Sequence, residues 1–310
     1  MLAMPTPATR PSSLGSAYLG VVAIWSTTPL GIVWSGQGVH FTVPLFVRMA
    51  IGLAVCGLWL LFNRMPVPLD LAARKSYVYA GVSIWASMLC TYWGARFIPS
   101  GLISVVFGLS PILTGLFAWL WLREDAFTAL KLLGMALGLT GLVIIFGDSM
   151  RLGTAGHWGI AAVLLAVTLQ AWGLVAVKRI KADLPAMAQT AGALAVTVPL
   201  SGLSLLVLGT WPSQVPVRSA LAMLYLGVFG SALGFALYYY LVRLLESGRV
   251  ALITLITPVT ALFLGMSLNG ERLSLRIVAG SALILLGLVS YEWKLLTNGR
   301  VKEIAAQARH

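Results

Sequence analysis

The sequence predicts an all-α integral membrane protein of ten transmembrane helices, built as two inverted five-helix repeats. Three observations predict it. Hydrophobic residues make up 59% of the 310 and charged residues 10%, where a soluble domain carries roughly 25% charged; mean hydropathy is +0.92. Apolar runs recur along the chain, each near the roughly 20 residues that cross a bilayer as a helix. Finally, prolines, arginines, acids and glycines return in the same order in the two halves.

The apolar runs place spans over 14–35, 43–62, 76–97, 101–122, 128–146, 158–177, 185–208, 220–245, 248–268 and 275–293. The run after the polar N-terminus reaches Trp34, long for a signal-peptide core, and reads as an uncleaved first span. Short loops make neighbouring spans mostly antiparallel and leave no room for a soluble domain. The predicted organisation is a cytoplasmic tail over 1–13, a first repeat over 14–146, a linker over 147–157, a second repeat over 158–293 and a cytoplasmic tail over 294–310.

The net charge of +12 does not point to nucleic acid, because no basic run with interleaved aromatics stands outside the loops. Alternate loops hold Arg96, Arg151, Arg218, Arg272 and Arg276 on one face, and most other basic residues on the opposite face. The positive-inside rule then puts both termini in the cytoplasm. Cys56 and Cys90 lie inside apolar runs and imply neither a disulfide framework nor a metal site. No cofactor is expected.

The repeat is read from an offset of 147 residues, which carries Pro111 to Pro258. The same offset carries Arg96 to Arg243, Tyr92 to Tyr239, Ser100-Gly101 to Ser247-Gly248, Trp25 to Trp172 and Glu124 to Glu271. After one deletion, Gly134 meets Gly280 and Gly141 meets Gly287. Five spans per half is an odd number, so the second half must be upside down. Inverted repeats are a mark of secondary transporters, in which two similar halves exchange conformations around a site between them.

Pro111 and Pro258 each fall in the middle of an apolar run, where proline removes a helix hydrogen bond. The freed carbonyls belong to Phe107 and Thr254, and such groups are tolerated in a membrane only where protein or a wet cavity satisfies them. Ser110 and Thr257 precede the prolines and offer hydroxyls. The two prolines are therefore candidate hinges beside a cavity; a static packing kink is the other reading.

All nine acids, and all three histidines, fall in loops or near span ends. A buried carboxylate of the kind that exchanges a proton for a cationic drug is not visible, which favours a neutral or zwitterionic substrate. Arg48 is the one charge inside a span. Three roles are open to it: snorkelling to the interface, pairing with a substrate carboxylate, or a structural partner. Deep aromatics and polar groups complete the candidate cavity lining: Trp25, Thr28, Arg48, Trp85, Tyr92, Trp93, Ser110, Gln170, Trp172, Tyr238, Tyr239 and Thr257. Deep aromatics also pack, but together with Gln170 they suit an amphiphilic amino acid or aromatic metabolite. Glu124, Glu271, Arg96 and Arg243 are candidate gate residues, with a solvated helix end as the alternative for the two acids.

The stretch "YWGARFIPSGLISVVFGLSPILTGLFAWLWLREDAFTALKLLGMALGLTGLVIIFG" and the later "YYYLVRLLESGRVALITLITPVTALFLGMSLNGERLSLRIVAGSALILLGLV" resemble the unit of the drug/metabolite transporter superfamily, EamA branch. "AIW" at Trp25, "LFVRMA" at Arg48 and "QAW" at Trp172 also resemble family positions. The resemblance runs from about Leu14 to Trp293. It implies ten helices in two inverted repeats and a carrier, typically an exporter, of amino acids, related metabolites or toxic compounds. The resulting expectation is a bacterial inner-membrane exporter, monomer or homodimer in the lipid bilayer, that moves a small neutral or zwitterionic metabolite by alternating access. Multidrug efflux is the alternative. A membrane-embedded enzyme would need a polar catalytic cluster such as HExxH or paired acids, and none is present; a receptor would not need the repeat.

Overall fold

The computed structural model describes residues 11–123, 128–148, 155–234, 236–237, 240–241 and 247–307. Helices follow one another along the chain: α1 (Pro11–Ser35), α2 (Thr42–Phe62), α3 (Leu71–Gly94), α4 (Ser100–Phe107), α5 (Ser110–Leu122), α6 (Ala129–Asp148), α7 (Gly156–Ile180), α8 (Ala186–Leu208) and α9 (Val217–Tyr225). A π-helical segment (Leu226–Leu233), α10 (Ser247–Asn269) and α11 (Leu275–Gln307) complete the order. With α4 and α5 counted as one, seven of the described helical stretches are long and apolar enough to cross a membrane. Val217–Leu233 and Ile253–Asn269 are shorter apolar helices. α3 is long but more polar, with Arg74 and Lys75 near its start and Ser76, Ser83, Ser87 and Thr91 along it.

Local chemistry sets several boundaries. The Asp70 carboxylate accepts from the Ala73 amide at 3.3 Å and caps α3, satisfying one of the amides a helix start leaves open. Pro99, Pro185 and Pro216 each stand immediately before α4, α8 and α9; proline needs no helical partner there because it has no N–H. Two predicted ends shift. α11 runs past Trp293 to Gln307, so the segment beyond the last predicted span continues the same helix. The predicted fourth span is two helices, broken at Gly108–Leu109, with Pro111 in the first turn of α5.

The two prolines therefore differ. The chain is interrupted before Pro111, yet α10 continues through Pro258. The break and the second proline are neighbours: a Cβ built on Gly108 would lie 3.8 Å from the Pro258 ring. Proline suits the start of a helix, where its missing donor costs nothing, so the bend is made before Pro111.

α4 stands at the centre of the larger apolar core, with Leu102, Ile103, Val105 and Val106 packed among Ile145, Ile160, Val163, Ile277 and Ile284. A second core joins Leu45, Met49, Tyr92, Leu194 and Leu226. α6 lies against α11, α3 against α7 and α8, α2 against α8 and the π segment, and α1 against α9 and α10. Between helices in lipid, close approach through small residues replaces the hydrophobic effect as the packing force. α6 and α11 cross at two such points. A Cβ on Gly134 would sit 2.5 Å from the Gly287 carbonyl oxygen, and one on Gly141 would sit 2.4 Å from that of Gly280. Neither backbone can yield locally. Gly141→Leu is expected to destabilise the fold by at least about 3 kcal/mol, the upper range for overpacking. Gly147→Ala, where nothing lies within 4 Å, should change stability by less than about 0.5 kcal/mol. Thermal unfolding of both variants in detergent checks the contrast.

Candidate functional site

Arg48 is on the second turn of α2 and its side chain turns inward, where it is 4% exposed. Its Nε donates to the Ser231 hydroxyl at 2.9 Å, and one terminal nitrogen lies 3.9 Å from the Met88 sulfur. Snorkelling, one of the three roles open in the sequence, is thereby overturned. Ser231 comes from the π-helical segment. Such segments are rare and often stand at functional positions, because the wider turn redirects side chains. A Cβ on Gly230 would fall 3.4 Å from the other terminal nitrogen of Arg48 and 3.6 Å from the Thr28 hydroxyl. Gly230 thus lies in ordinary contact range of the guanidinium.

Around Arg48 lies a cavity of about 70 Å³, lined by α2, α3, α7, α8 and the π segment. Its polar lining is Arg48, Ser87, Gln170, Gln189, Thr190 and Ser231; Met49, Ile84, Met88 and Leu194 make much of the rest. The Ser87 hydroxyl and the Gln170 side-chain oxygen are buried with no hydrogen-bond partner among the described residues. Among the described residues, no lining residue is acidic. A buried, uncompensated cation is costly, and a guanidinium can grip a carboxylate through two parallel hydrogen bonds. Beside it, Gln170 offers an acceptor and Ser87 both a donor and an acceptor.

A second cavity of about 290 Å³ lies further along α3, lined by Ile32, Val33, Gly36, Gln37, Val39, Phe41, Tyr92, Ala95 and Arg96. Tyr92 is 2% exposed, and its hydroxyl too is buried without a partner among the described residues. Arg96 is exposed and held over the rings of Phe41 and Phe97, at 5.7 and 5.4 Å, a favourable position for a cation. Neighbouring His40 shares a 2.8 Å hydrogen bond with the Thr42 hydroxyl. Burial, then the Arg96 charge, hold its pKa below the ordinary histidine value, since both disfavour the imidazolium.

The same end of the bundle is tied by Glu271. Its carboxylate accepts from the backbone amides of Ser100 at 2.9 Å and Gly101 at 3.2 Å, and from the Asn269 side chain at 3.0 Å. The Asn269 oxygen in turn accepts from the Trp34 indole at 2.9 Å. The sequence suggests an arginine latch or a solvated helix end for Glu271; the structure gives it the N-terminus of α4 instead, where a negative charge is favoured. Arg218 stacks 4.1 Å over Trp34, and the Ser219 hydroxyl donates to the carbonyls of Trp34 and Gln37. Asp148, buried at the end of α6, is hydrogen-bonded by Ser274 and lies 3.9 Å from Arg276.

The remaining candidates scatter. Trp85 donates to the Ser204 hydroxyl at 2.8 Å. Trp93 packs edge-on against Phe97, and Trp172 against Tyr79 and Trp121. Trp25 joins a small apolar cluster with Val21, Leu241 and Ile253. Ser110 opens α5, and Thr257 is buried on α10 beside Pro258. Tyr238, Tyr239, Glu124 and Arg243 lie outside the described residues. The two cavities thus collect Arg48, Gln170, Tyr92 and Arg96 from the predicted set. Sequence reasoning missed Ser87, Gln189 and Ser231. Ser87 had one available signal: it shares a face of α3 with Ile84 and Met88, one turn before Tyr92.

Among the described residues of this multi-pass membrane protein, Arg48 is thus a buried arginine beside a largely apolar cavity between helices. The chain belongs to the EamA-like transporter family, which matches residues 15–147 and again 157–291. It is 28% identical over 293 residues to YvbV, an uncharacterized transporter of Bacillus subtilis, covering 90% of each chain. To the uncharacterized inner membrane transporter YedA of Escherichia coli K12 it is 29% identical over 266 residues, covering 84% of each. It is 26% identical over 267 residues to an S-adenosylmethionine/S-adenosylhomocysteine transporter of Chlamydia trachomatis, covering 80% of this chain and 79% of that one. A solved crystal structure shares the fold at a TM-score of 0.65 and 20% identity, covering 92% of this chain and 99% of its own.

Proposed function

We propose that this transporter exports a small zwitterionic or neutral metabolite, such as an amino acid or related compound, by alternating access between two inverted five-helix halves. The observation that carries the substrate class is Arg48, buried in a cavity with no acidic lining residue among the described ones. A substrate carboxylate would compensate its charge, and the Gln170 oxygen and Ser87 hydroxyl would receive a substrate ammonium. A cationic drug would meet an uncompensated positive charge there. The relative named as an S-adenosylmethionine/S-adenosylhomocysteine transporter supports the carboxylate part of the reading, because both solutes end in an amino-acid group, although the first also carries a sulfonium charge.

The internal symmetry supports two inverted halves. Under the repeat, Gly134 corresponds to Gly280 and Gly141 to Gly287, so the Gly134–Gly287 contact maps onto the Gly141–Gly280 contact. That is the signature of a two-fold interface. The packing of α3 on α7 likewise corresponds to that of α9 and the π segment on α1. Both termini are then cytoplasmic, and Arg96, Glu271 and Trp34 mark the outer end.

Counterflow in proteoliposomes tests the function: vesicles loaded with an unlabelled mixture of the twenty amino acids should accumulate at least one labelled amino acid against buffer-loaded controls. No exchange of any of them would sink the substrate class. Reporters placed after Lys302 and near Gly156 should report opposite sides; the same side for both would remove the inverted arrangement.

The prolines are proposed as the bending points. Pro111→Ala and Pro258→Ala should both fold and insert, because neither removes a hydrogen bond, yet each should slow counterflow several-fold. Unchanged rates in both would leave the prolines as packing features.

A further inference from the structure

The two cavities are stacked along one face of α3. Ala80, Ile84, Ser87 and Met88 line the inner one; Tyr92, Ala95 and Arg96 line the outer one. The spacing keeps the residues from Ala80 to Tyr92 on one side of α3, and Ala95 and Arg96 follow directly after its last residue, Gly94. α2 follows the same path, with Phe41 just before its start in the outer cavity and Arg48 two turns on in the inner one. Met88, beside Arg48, and Tyr92 are one helical turn apart, about 5.4 Å. Tyr92, which lines the outer cavity, is buried in the apolar cluster with Leu45, Leu226 and Met49, and Met49 lines the inner one. A buried phenol hydroxyl normally finds a partner, yet that of Tyr92 has none among the described residues, and Tyr92 is one of the residues that line the outer cavity. Among the described residues, each cavity is lined by one arginine and no acid.

We propose that the outer cavity is a second binding site on the transport path, where a carboxylate is received by Arg96 and the Tyr92 hydroxyl, and that the Tyr92 ring is the partition between this site and the Arg48 site. This rests on the transporter reading and deepens it. A carboxylate leaving Arg48 would pass Tyr92 into a chamber of about 290 Å³ that again offers it a guanidinium, so its charge is never without a partner. Phe41, one of the two rings that hold Arg96, also lines the cavity and would supply aromatic surface for the apolar part of the solute.

The test uses the full chain in membrane vesicles, on a background with Cys56 and Cys90 replaced by alanine, and needs no transported substrate. In the first arm, Val39→Cys reports the outer cavity by its reaction with a small neutral thiol reagent. Benzoate should slow this reaction at least threefold and benzamide should not, and Arg96→Gln should remove the protection. Protection by both compounds or by neither overturns the site. In the second arm, Ser87→Cys reports the inner cavity. Tyr92→Ala should speed its reaction at least tenfold when the reagent is added at the Arg96 end, and leave the rate from the opposite end unchanged. Tyr92→Phe keeps the ring and should retain the slow rate. An unchanged rate in a folded Tyr92→Ala protein, or a fast rate in Tyr92→Phe, overturns the partition. Failure of counterflow with success of both arms would reject the amino-acid substrate class and keep the two-site geometry.

Discussion

Arg48→Met should yield a protein that unfolds at a higher temperature than the parent and transports at the background rate. The two halves of this expectation come from one fact. The guanidinium is buried and its partners in the protein are a serine hydroxyl and a methionine sulfur. Neither neutralises the charge. Replacing buried charges by apolar groups of similar volume is often stabilising by about 1–4 kcal/mol, and methionine is flexible enough to fill the space. In a protein of this size each kcal/mol raises the melting temperature by roughly 2 °C or a little more. Transport moves the other way. A charge-assisted hydrogen bond contributes about 1.5–3 kcal/mol, so the loss of a two-pronged grip should lower counterflow by at least about a hundredfold. Arg48→Lys keeps the charge but not the planar fork and should fall between. A less stable Arg48→Met protein with full transport would make the arginine a structural strut.

Much of the architecture was legible in the sequence because its causes are local. Run length and composition set the spans, and a bilayer allows few other ways to satisfy backbone polar groups. The break before Pro111 was harder. Both prolines sit in similar apolar runs, and only packing decides that one segment bends at Gly108–Leu109 while α10 continues. The site was half legible. Arg48 is conspicuous as the one charge within a span, and Gln170 as a rare amide. Ser231 was not, since it reaches Arg48 across 183 residues through a π-helical turn that no period in the sequence announces. Glu271 was legible as a residue of interest but not in its role. Its partners are backbone amides, and amides carry no side-chain signal.

That role yields the second large effect. α4 is eight residues long, far below the length at which a helix is stable alone, yet it fills the middle of the larger core. Its start is held by the two oxygens of Glu271, one on each of two amides. Room for that carboxylate exists because position 265 is glycine; a Cβ there would fall 2.3 Å from one of its oxygens. Removing the carboxylate leaves two amides and the Asn269 side chain without their acceptor. Cap loss alone costs about 1 kcal/mol and the charge at a helix start up to about another. A total of about 2 kcal/mol shifts the balance between the tied and released forms of this end by about thirtyfold. On the cysteine-free background, Ile103→Cys, buried within α4, should therefore react about thirty times faster with a thiol reagent once Glu271→Ala is added. Glu271→Gln, which keeps one neutral acceptor, should give a smaller increase. The effect should appear with reagent added at the Glu271 end and be absent from the other, because the tie joins α1, α4 and α10 at that end only. If Ile103→Cys reacted at the same rate with and without Glu271→Ala, the carboxylate would not hold the start of α4 closed.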